Sequence, residues 1–406
     1  MYVCRAWSMP WQVVKKKACG AAQPNVNVGA LCVNDVALRK NERVTSSHSL
    51  DIAQYGGWPG ILGTLVAGND LEPHIAEAAI TDILNGQATA SQMTAFIVAL
   101  RAKGETATEL SGMLRAVRSA GQRVDLAPEL AQRAIDIVGT GGDQSHSFNV
   151  STVTSLVVAG AGVPVCKHGN RAASSKCGAA DVLEELGVAI ELDPVGVAQC
   201  IDKAGMGFCL AARFHPAFRY TGPSRREIGI STAFNLLGPM ANPAPISSML
   251  VGVAAPWMMR PMIEALSSRG VTSAWVVHGS NGTTQGGVDE LTLAGPALVM
   301  QLRDGAVSEL KVDCSDIGLS SQPLSAIVGG DATENARIAR AILAGEKGAA
   351  RDTVVLNAAA ALHVAGVAAS LGDGRVLAEE SIDSGKASAV LQKLVTTSTT
   401  AAERLE

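Results

Sequence analysis

Residues 136–143 read Asp136-Ile137-Val138-Gly139-Thr140-Gly141-Gly142-Asp143, an apolar run that passes straight into three glycines and ends on a carboxylate. Glycines at the end of a strand let backbone N–H groups approach an anion with no Cβ in the way. A helix beginning after Asn149 would add the positive end of its dipole. The stretch reads as a strand feeding a phosphate cradle, although alone it suits a plain tight turn equally well. It does not read as a dinucleotide site, because Gln144 stands where G-x-G-x-x-G needs its third glycine, and the G-K-[ST] ending of a Walker loop is absent.

From Ile135 onward, short β-branched runs alternate with helical stretches, the pattern of a largely parallel sheet with helices on its faces. Strands are expected at Ile135–Val138, Val163–Cys166, Val188–Glu191, Phe208–Ala211, Met249–Val253 and Ala274–His278, with extended pieces at Leu298–Leu302 and Glu309–Val312. Residues 331–368 and 376–396 return to helical periodicity. Before the cradle, the chain is written as helices. Thr89-x-x-Gln92 and Thr106-x-x-Glu109 are capping boxes, and the stripes Met93, Phe96, Ile97, Leu100 and Leu110, Met113, Leu114, Val117 follow them. The expected fold class is α/β: a small all-helical N-terminal domain plus a large α/β domain with a mostly parallel central sheet flanked by helices. The expected division is a poorly ordered leader over 1–50, a helical domain over 51–130 completed by helices around 213–240, and an α/β domain over 131–406.

The chain has 406 residues, is 47% hydrophobic and 17% charged, and carries a formal charge of -4. That size buries a large core. Apart from Lys15-Lys16-Lys17 there is no basic run, so nucleic acid is not an expected partner and a small molecule is. The uncharged stretches 144–166 and 228–259 are broken by Asn, Ser, Gly or Pro, so no membrane span is expected. With no secretory signal either, the expected location is cytoplasmic. The eight cysteines form no C-x-x-C pair and read as free thiols.

Three further stretches carry chemistry. Lys167-His-Gly-Asn-Arg-Ala-Ala-Ser-Ser175, placed after a strand, gathers two cations, an amide and two hydroxyls, a set that can surround several phosphate oxygens. Arg225 and Arg226, in Arg225-Arg-Glu-Ile-Gly229, each offer a guanidinium to a planar carboxylate. Asp289-Glu290, in a glycine-rich loop, supplies oxygen ligands suited to Mg²⁺ beside a phosphate; a solvated acidic turn is the bland alternative.

In this order the motifs resemble the anthranilate phosphoribosyltransferase family: G-T-G-G-D at Gly139–Asp143, N-x-S-T at Asn149–Thr152, K-H-G-N-R-x-x-S-S at Lys167–Ser175, R-R-E-[IL]-G at Arg225–Gly229 and F-N-[IL]-L-G-P at Phe234–Pro239. The resemblance runs from about Trp58 to Leu394. It implies that Gly139, Gly142, Asp143, Ser147, Asn149, Val150, Ser151, Thr152, Lys167, His168, Gly169, Asn170, Arg171, Ala172, Ala173, Ser174 and Ser175 contact phosphoribosyl pyrophosphate. By the same resemblance Gly139, Asn170 and Arg225 contact anthranilate, and Ser151, Asp289 and Glu290 serve Mg²⁺. His168 and Arg171 would position the substrates, with no residue acting as acid or base, and the protein would be a homodimer built on the helical domain. The chain departs from the family in the longer loop between His278 and Asp289. A pyrimidine-nucleoside phosphorylase would carry K-x-S-G-R where this chain has Lys167-His-Gly-Asn-Arg171, and a non-catalytic nucleic-acid-binding relative would carry basic helices and eroded motifs.

Overall fold

The computed structural model describes residues 50–172, 176–283 and 286–405. The expected leader, except for Leu50, lies outside them, as do Ala173, Ser174 and Ser175.

Four helices open the described chain: α1 (Gly57–Val66), α2 (Pro73–Leu84), α3 (Ala90–Lys103) and α4 (Ala107–Ala120). Pro73 starts α2, where its missing N–H costs nothing. Thr89 and Thr106 form the two capping boxes, and the stripes behind them are buried. Helices α2 and α4 pack so closely that a Cβ on Gly112 would overlap the Pro73 carbonyl.

Glu109, fully buried, ties this unit together. Its carboxylate accepts from the Leu71 amide (2.9 Å), the Thr106 amide (3.0 Å) and the Lys103 ammonium (2.9 Å), and Lys103 also reaches Asp70 (2.6 Å). Removing one partner of such a pair strands a buried charge. Lys103→Met is therefore expected to destabilise the protein by about 3 kcal/mol, measured by urea unfolding. A loss below ~1 kcal/mol would show that Glu109 is satisfied by its amide donors alone.

After α5 (Pro128–Arg133) comes β1 (Ile135–Gly139), then α6 (Val150–Gly160), β2 (Val165–Gly169), α7 (Ala179–Glu185), α8 (Pro194–Ala204) and β3 (Met206–Leu210). Three short helices, α9 (Ala211–Phe214), α10 (Gly222–Ile228) and α11 (Ala233–Met240), lead to β4 (Ser248–Gly252), α12 (Met259–Arg269) and β5 (Ser273–His278). The hairpin β6 (Ala297–Arg303) and β7 (Ala306–Val312) precedes α13 (Ala332–Leu343), α14 (Ala349–Val364), α15 (Leu371–Asp383) and α16 (Lys386–Ala402).

The seven strands lie in the order β3-β2-β1-β4-β5-β6-β7, with β1 to β5 mutually parallel and β6 and β7 antiparallel. Helix α6 packs between β1 and the helices α14, α15 and α16. Helix α12 lies between the strands β5 and β6 and helix α4, and α10 and α11 pack on α3.

Two expected strands need correction. Val188–Glu191 pairs with no strand: Val188 and Ile190 are buried, but the Ala189 amide donates to Ser398 Oγ of α16 (3.0 Å), so the run lies against a helix. The second strand runs two residues later than expected at its start and three at its end, so Lys167, His168 and Gly169 are strand residues rather than part of the loop beyond it.

Candidate active site

Strands β1 and β4 both end in glycine, and β5 is followed at once by one: Gly139, Gly252 and Gly279. Each leaves room for the acidic pair. A Cβ on Gly139 would overlap the Asp289 carboxylate, one on Gly252 the Asp289 carbonyl, and one on Gly279 the Glu290 carbonyl. The motif reading missed Gly252 and Gly279. Their signal is the repeated ending of an apolar run in glycine, Ile-Val-Gly139, Leu-Val-Gly252 and Val-His-Gly279.

The long loop before the pair is pinched off at its base. Gly279 and Val288 exchange two backbone hydrogen bonds (2.8 and 2.9 Å), which returns the chain to the strand ends whatever the length between.

The acidic pair reaches into the cradle. The Gly141 amide donates to Asp289 Oδ2 (2.6 Å), the Asp289 amide to Asp143 Oδ2 (3.3 Å), and the Ser151 amide at the start of α6 to Glu290 Oε1 (3.1 Å). Gly141 and Gly142 hold φ of 68° and 78°, the left-handed backbone that turns the loop over the strand. The two carboxylates thus occupy amides that a bound anion could use. Burial, and then the charge of Asp143, pushes Asp289 up to about 7; burial, and then Asp289, pushes Glu290 up to about 8.

Among the described residues, no three His, Cys, Asp or Glu side chains converge as a ready metal cage. The donor set nevertheless fits Mg²⁺. That ion takes one or two carboxylates, keeps waters and completes its shell with phosphate oxygens, and a cation here would relieve the repulsion among Asp143, Asp289 and Glu290. The Ser151 hydroxyl stands beside them, accepting from Lys167 Nζ (3.1 Å).

Lys167 is buried at 1% exposure, with its ammonium also donating to the Ile137 carbonyl (2.6 Å), so it forms part of the floor under the cradle. Burial lowers its pKa against the opposing pull of Asp136, Glu290 and Asp289. Val150 and Thr152 are buried in α6 and bring backbone alone. Ser147 sits beside the cradle, bonded to Ser145 Oγ, and Asn149 spends its side chain on the Cys177 carbonyl (3.2 Å) and on Asn335 Nδ2 (2.9 Å).

Beyond β2, Asn170 folds back on the Arg171 amide (2.9 Å), while the Ala172 amide donates to Asp181 (3.0 Å). The Arg171 guanidinium is engaged by Glu184 and by Asp181 (3.4 Å), both on α7, and so is not a free cation in this state.

His168 Nδ1 faces the Gly238 carbonyl (3.0 Å), which places the proton on Nδ1 and leaves Nε2 buried without a partner among the described residues. Burial, and then His215, holds the ring well below its ordinary pKa, so it stays neutral at pH 7. A chain of ring contacts runs outward from it: His168 to His215 at 5.3 Å, His215 to Phe218 at 5.8 Å, and Phe218 to Phe234 at 6.2 Å. Arg225 closes the chain, 5.4 Å over the Phe234 ring and half-buried, with no carboxylate partner among the described residues. Arg226, its neighbour, is exposed.

A helical bundle beside an α/β domain whose strand-end glycines cradle an anion is the build of the glycosyl transferase family. The model of its helical bundle domain matches residues 59–121 and that of its a/b domain residues 131–388. The anthranilate phosphoribosyltransferase of Thermomicrobium roseum is 47% identical over 346 residues, covering 84% of this chain and 97% of that protein; that of Symbiobacterium thermophilum is 46% identical over 334 residues, covering 82% and 96%. Among solved structures, the anthranilate phosphoribosyltransferase of Thermus thermophilus superposes with a TM-score of 0.78 at 39% identity, covering 84% of this chain and 99% of that one. The Saccharomyces cerevisiae enzyme in complex with PRPP and Mg superposes at 0.77 with 26% identity, covering 87% and 100%. The chain belongs to the anthranilate phosphoribosyltransferase family, as its order of motifs implied.

Proposed function

We propose that this protein transfers the phosphoribosyl group of 5-phosphoribosyl 1-pyrophosphate to the amine of anthranilate, giving N-(5-phosphoribosyl)anthranilate and pyrophosphate, the second step of tryptophan synthesis from chorismate. The observation that carries the reading is the acidic pair seated across the glycine-ended strands, beside the α6 N-terminus, in a chain of this family. The enzyme is Mg²⁺-dependent; Asp289, Glu290 and Ser151 would hold the ion, which supplies positive charge to the pyrophosphate.

The anthranilate amine is neutral near pH 7, so the reaction needs positioning and charge stabilisation more than a base. Its nitrogen attacks the anomeric carbon, the bond from that carbon to the pyrophosphate oxygen breaks with its electron pair leaving on oxygen, and the nitrogen then sheds a proton. Substrate phosphates compete with Asp289 and Glu290 for the amides of Gly141 and Ser151, freeing both carboxylates. Lys167 places its charge under that anion, and the neutral His168 and Asn170 orient the two substrates. Arg225 clamps the anthranilate carboxylate. Arg171 reaches the substrates only by leaving Glu184.

The helical domain over 51–130, completed by 213–240, also carries the homodimer contact, and the enzyme works in the cytoplasm. None of the helices in the described residues is long and apolar enough to cross a membrane.

The test is the decay of anthranilate fluorescence with phosphoribosyl pyrophosphate and Mg²⁺, repeated with EDTA. Metal-dependent decay is expected. No decay, together with phosphorolysis of thymidine or uridine, would instead make the protein a nucleoside phosphorylase.

A further inference from the structure

The middle of α14 reads Val354-Val355-Leu356-Asn357-Ala358-Ala359-Ala360-Ala361-Leu362, and Asn357 is the one polar side chain in that run. The whole run is buried, and Asn357 has no exposed surface at all. The alanines that follow it let α14 pack against α6, α15 and β4. An amide side chain in such a setting is costly unless its hydrogen bonds are made.

Outside its own helix, Asn357 makes them to a single residue. Its Oδ1 accepts from the Leu291 amide (3.1 Å) and its Nδ2 donates to the Leu291 carbonyl (2.8 Å), while Nδ2 also donates to the Thr353 carbonyl one turn back (2.9 Å). Leu291 is itself fully buried, so this side chain satisfies both of its backbone groups as a neighbouring strand would.

Leu291 directly follows the acidic pair. Its amide shares a planar trans peptide with the Glu290 carbonyl, and the two groups point in opposite directions. The Glu290 carbonyl lies against Gly279, where a Cβ would overlap it. The peptide plane is therefore held by Gly279 on one side and by Asn357 on the other, and beyond it the Glu290 carboxylate takes the Ser151 amide (3.1 Å).

We propose that Asn357 is a positioning residue for the acidic pair: by fixing the Glu290–Leu291 peptide it keeps Asp289 and Glu290 at the strand ends, against their mutual repulsion, where they take a divalent cation. The assignment rests on the metal role given to the pair above. Groups that orient metal ligands without touching the metal commonly set its affinity by about ten- to a hundredfold.

The experiment is calorimetric titration of the full chain with pyrophosphate, with and without saturating Mg²⁺. Wild type is expected to bind pyrophosphate at least about tenfold more tightly with the metal. Asn357→Leu, close in volume and suited to an apolar helix, is expected to weaken the Mg²⁺-loaded binding about tenfold and to leave the metal-free binding within about twofold. Asn357→Ala should do the same with less risk to folding, since the space it opens admits a water that pairs Leu291 without holding its peptide plane. Lys103→Met, destabilised in the helical unit instead, should keep the full Mg²⁺ response. A wild-type affinity that ignores Mg²⁺ would overturn the metal role of the pair and this assignment with it. A wild-type response that a folded Asn357 variant keeps, or that Lys103→Met loses equally, would overturn the positioning role alone.

Discussion

Replacing the acidic pair by its amides, Asp289→Asn with Glu290→Gln, is expected to lower kcat/KM on the order of 10³-fold while raising the melting temperature of the ligand-free protein at alkaline pH. The opposite signs have one cause. The amides keep oxygen acceptors for the Gly141 and Ser151 N–H groups but remove two negative charges that are buried beside each other and beside Asp143. In the proposed function those charges would hold the metal during catalysis, and in its absence they oppose folding. Both carboxyls titrate higher in the fold than in the unfolded chain, Asp289 at about 7 against 3.8 and Glu290 at about 8 against 4.5. The folded protein therefore binds more protons across this range. The stability they contribute is complete below the unfolded values and lost as pH rises through about 7 and 8.

The measurement is the difference in melting temperature between variant and wild type at pH 7 and at pH 9. It stays at or above pH 7 because His168 and His215, whose pKa values burial depresses, act in the opposite direction as pH falls through the histidine range. The variant's advantage should grow toward pH 9, and Mg²⁺ should raise the wild-type value only. An advantage that shrinks with pH would mean that the pair is not charge-strained in the fold.

The helical unit was legible because its signals are local. A capping box and an i, i+3, i+4 stripe are fixed by neighbours in sequence, and Thr89, Thr106 and the stripes behind them stand where they were expected. Val188–Glu191 failed because β-branched composition reports burial, not pairing; whether such a run meets a strand or a helix depends on residues as distant as Ser398. Lys167 was legible as a candidate phosphate-binding cation but not as a buried one, since its depth follows from the register of β2 against β3. The roles of Gly252 and Gly279 depend on two strand ends more than 25 residues apart meeting one acidic dipeptide, which no local motif records. The loop before Asp289 is longer than the family's, and a two-bond bridge between Gly279 and Val288 closes it at its base, a pairing that the sequence does not mark.

Arg225→Ala is expected to raise the KM for anthranilate about 10²-fold, the equivalent of one charged bidentate hydrogen bond in a half-buried setting, while the KM for phosphoribosyl pyrophosphate stays within about twofold. The expectation rests on what Arg225 lacks. Arg269, also half-buried, spends its guanidinium on the carbonyls of Met240 (2.6 Å), Asn242 (3.3 Å) and Ala244 (3.4 Å), so its loss should cost stability and spare substrate affinity. Arg171 is held by the carboxylates of α7. Arg225 has neither kind of partner among the described residues; it lies over the Phe234 ring, at the outer end of the ring contacts that lead back to His168. Burial already lowers its pKa, the mark of a desolvated charge whose counter-ion is missing. The exposed Arg226 separates charge in general from this position, since Arg226→Ala should leave the anthranilate KM unchanged. Arg225→Lys should fall between, keeping the charge and losing the planar fork. An anthranilate KM equal to wild type in Arg225→Ala would remove the carboxylate clamp and leave the acceptor to be held by Asn170 and the ring contacts alone.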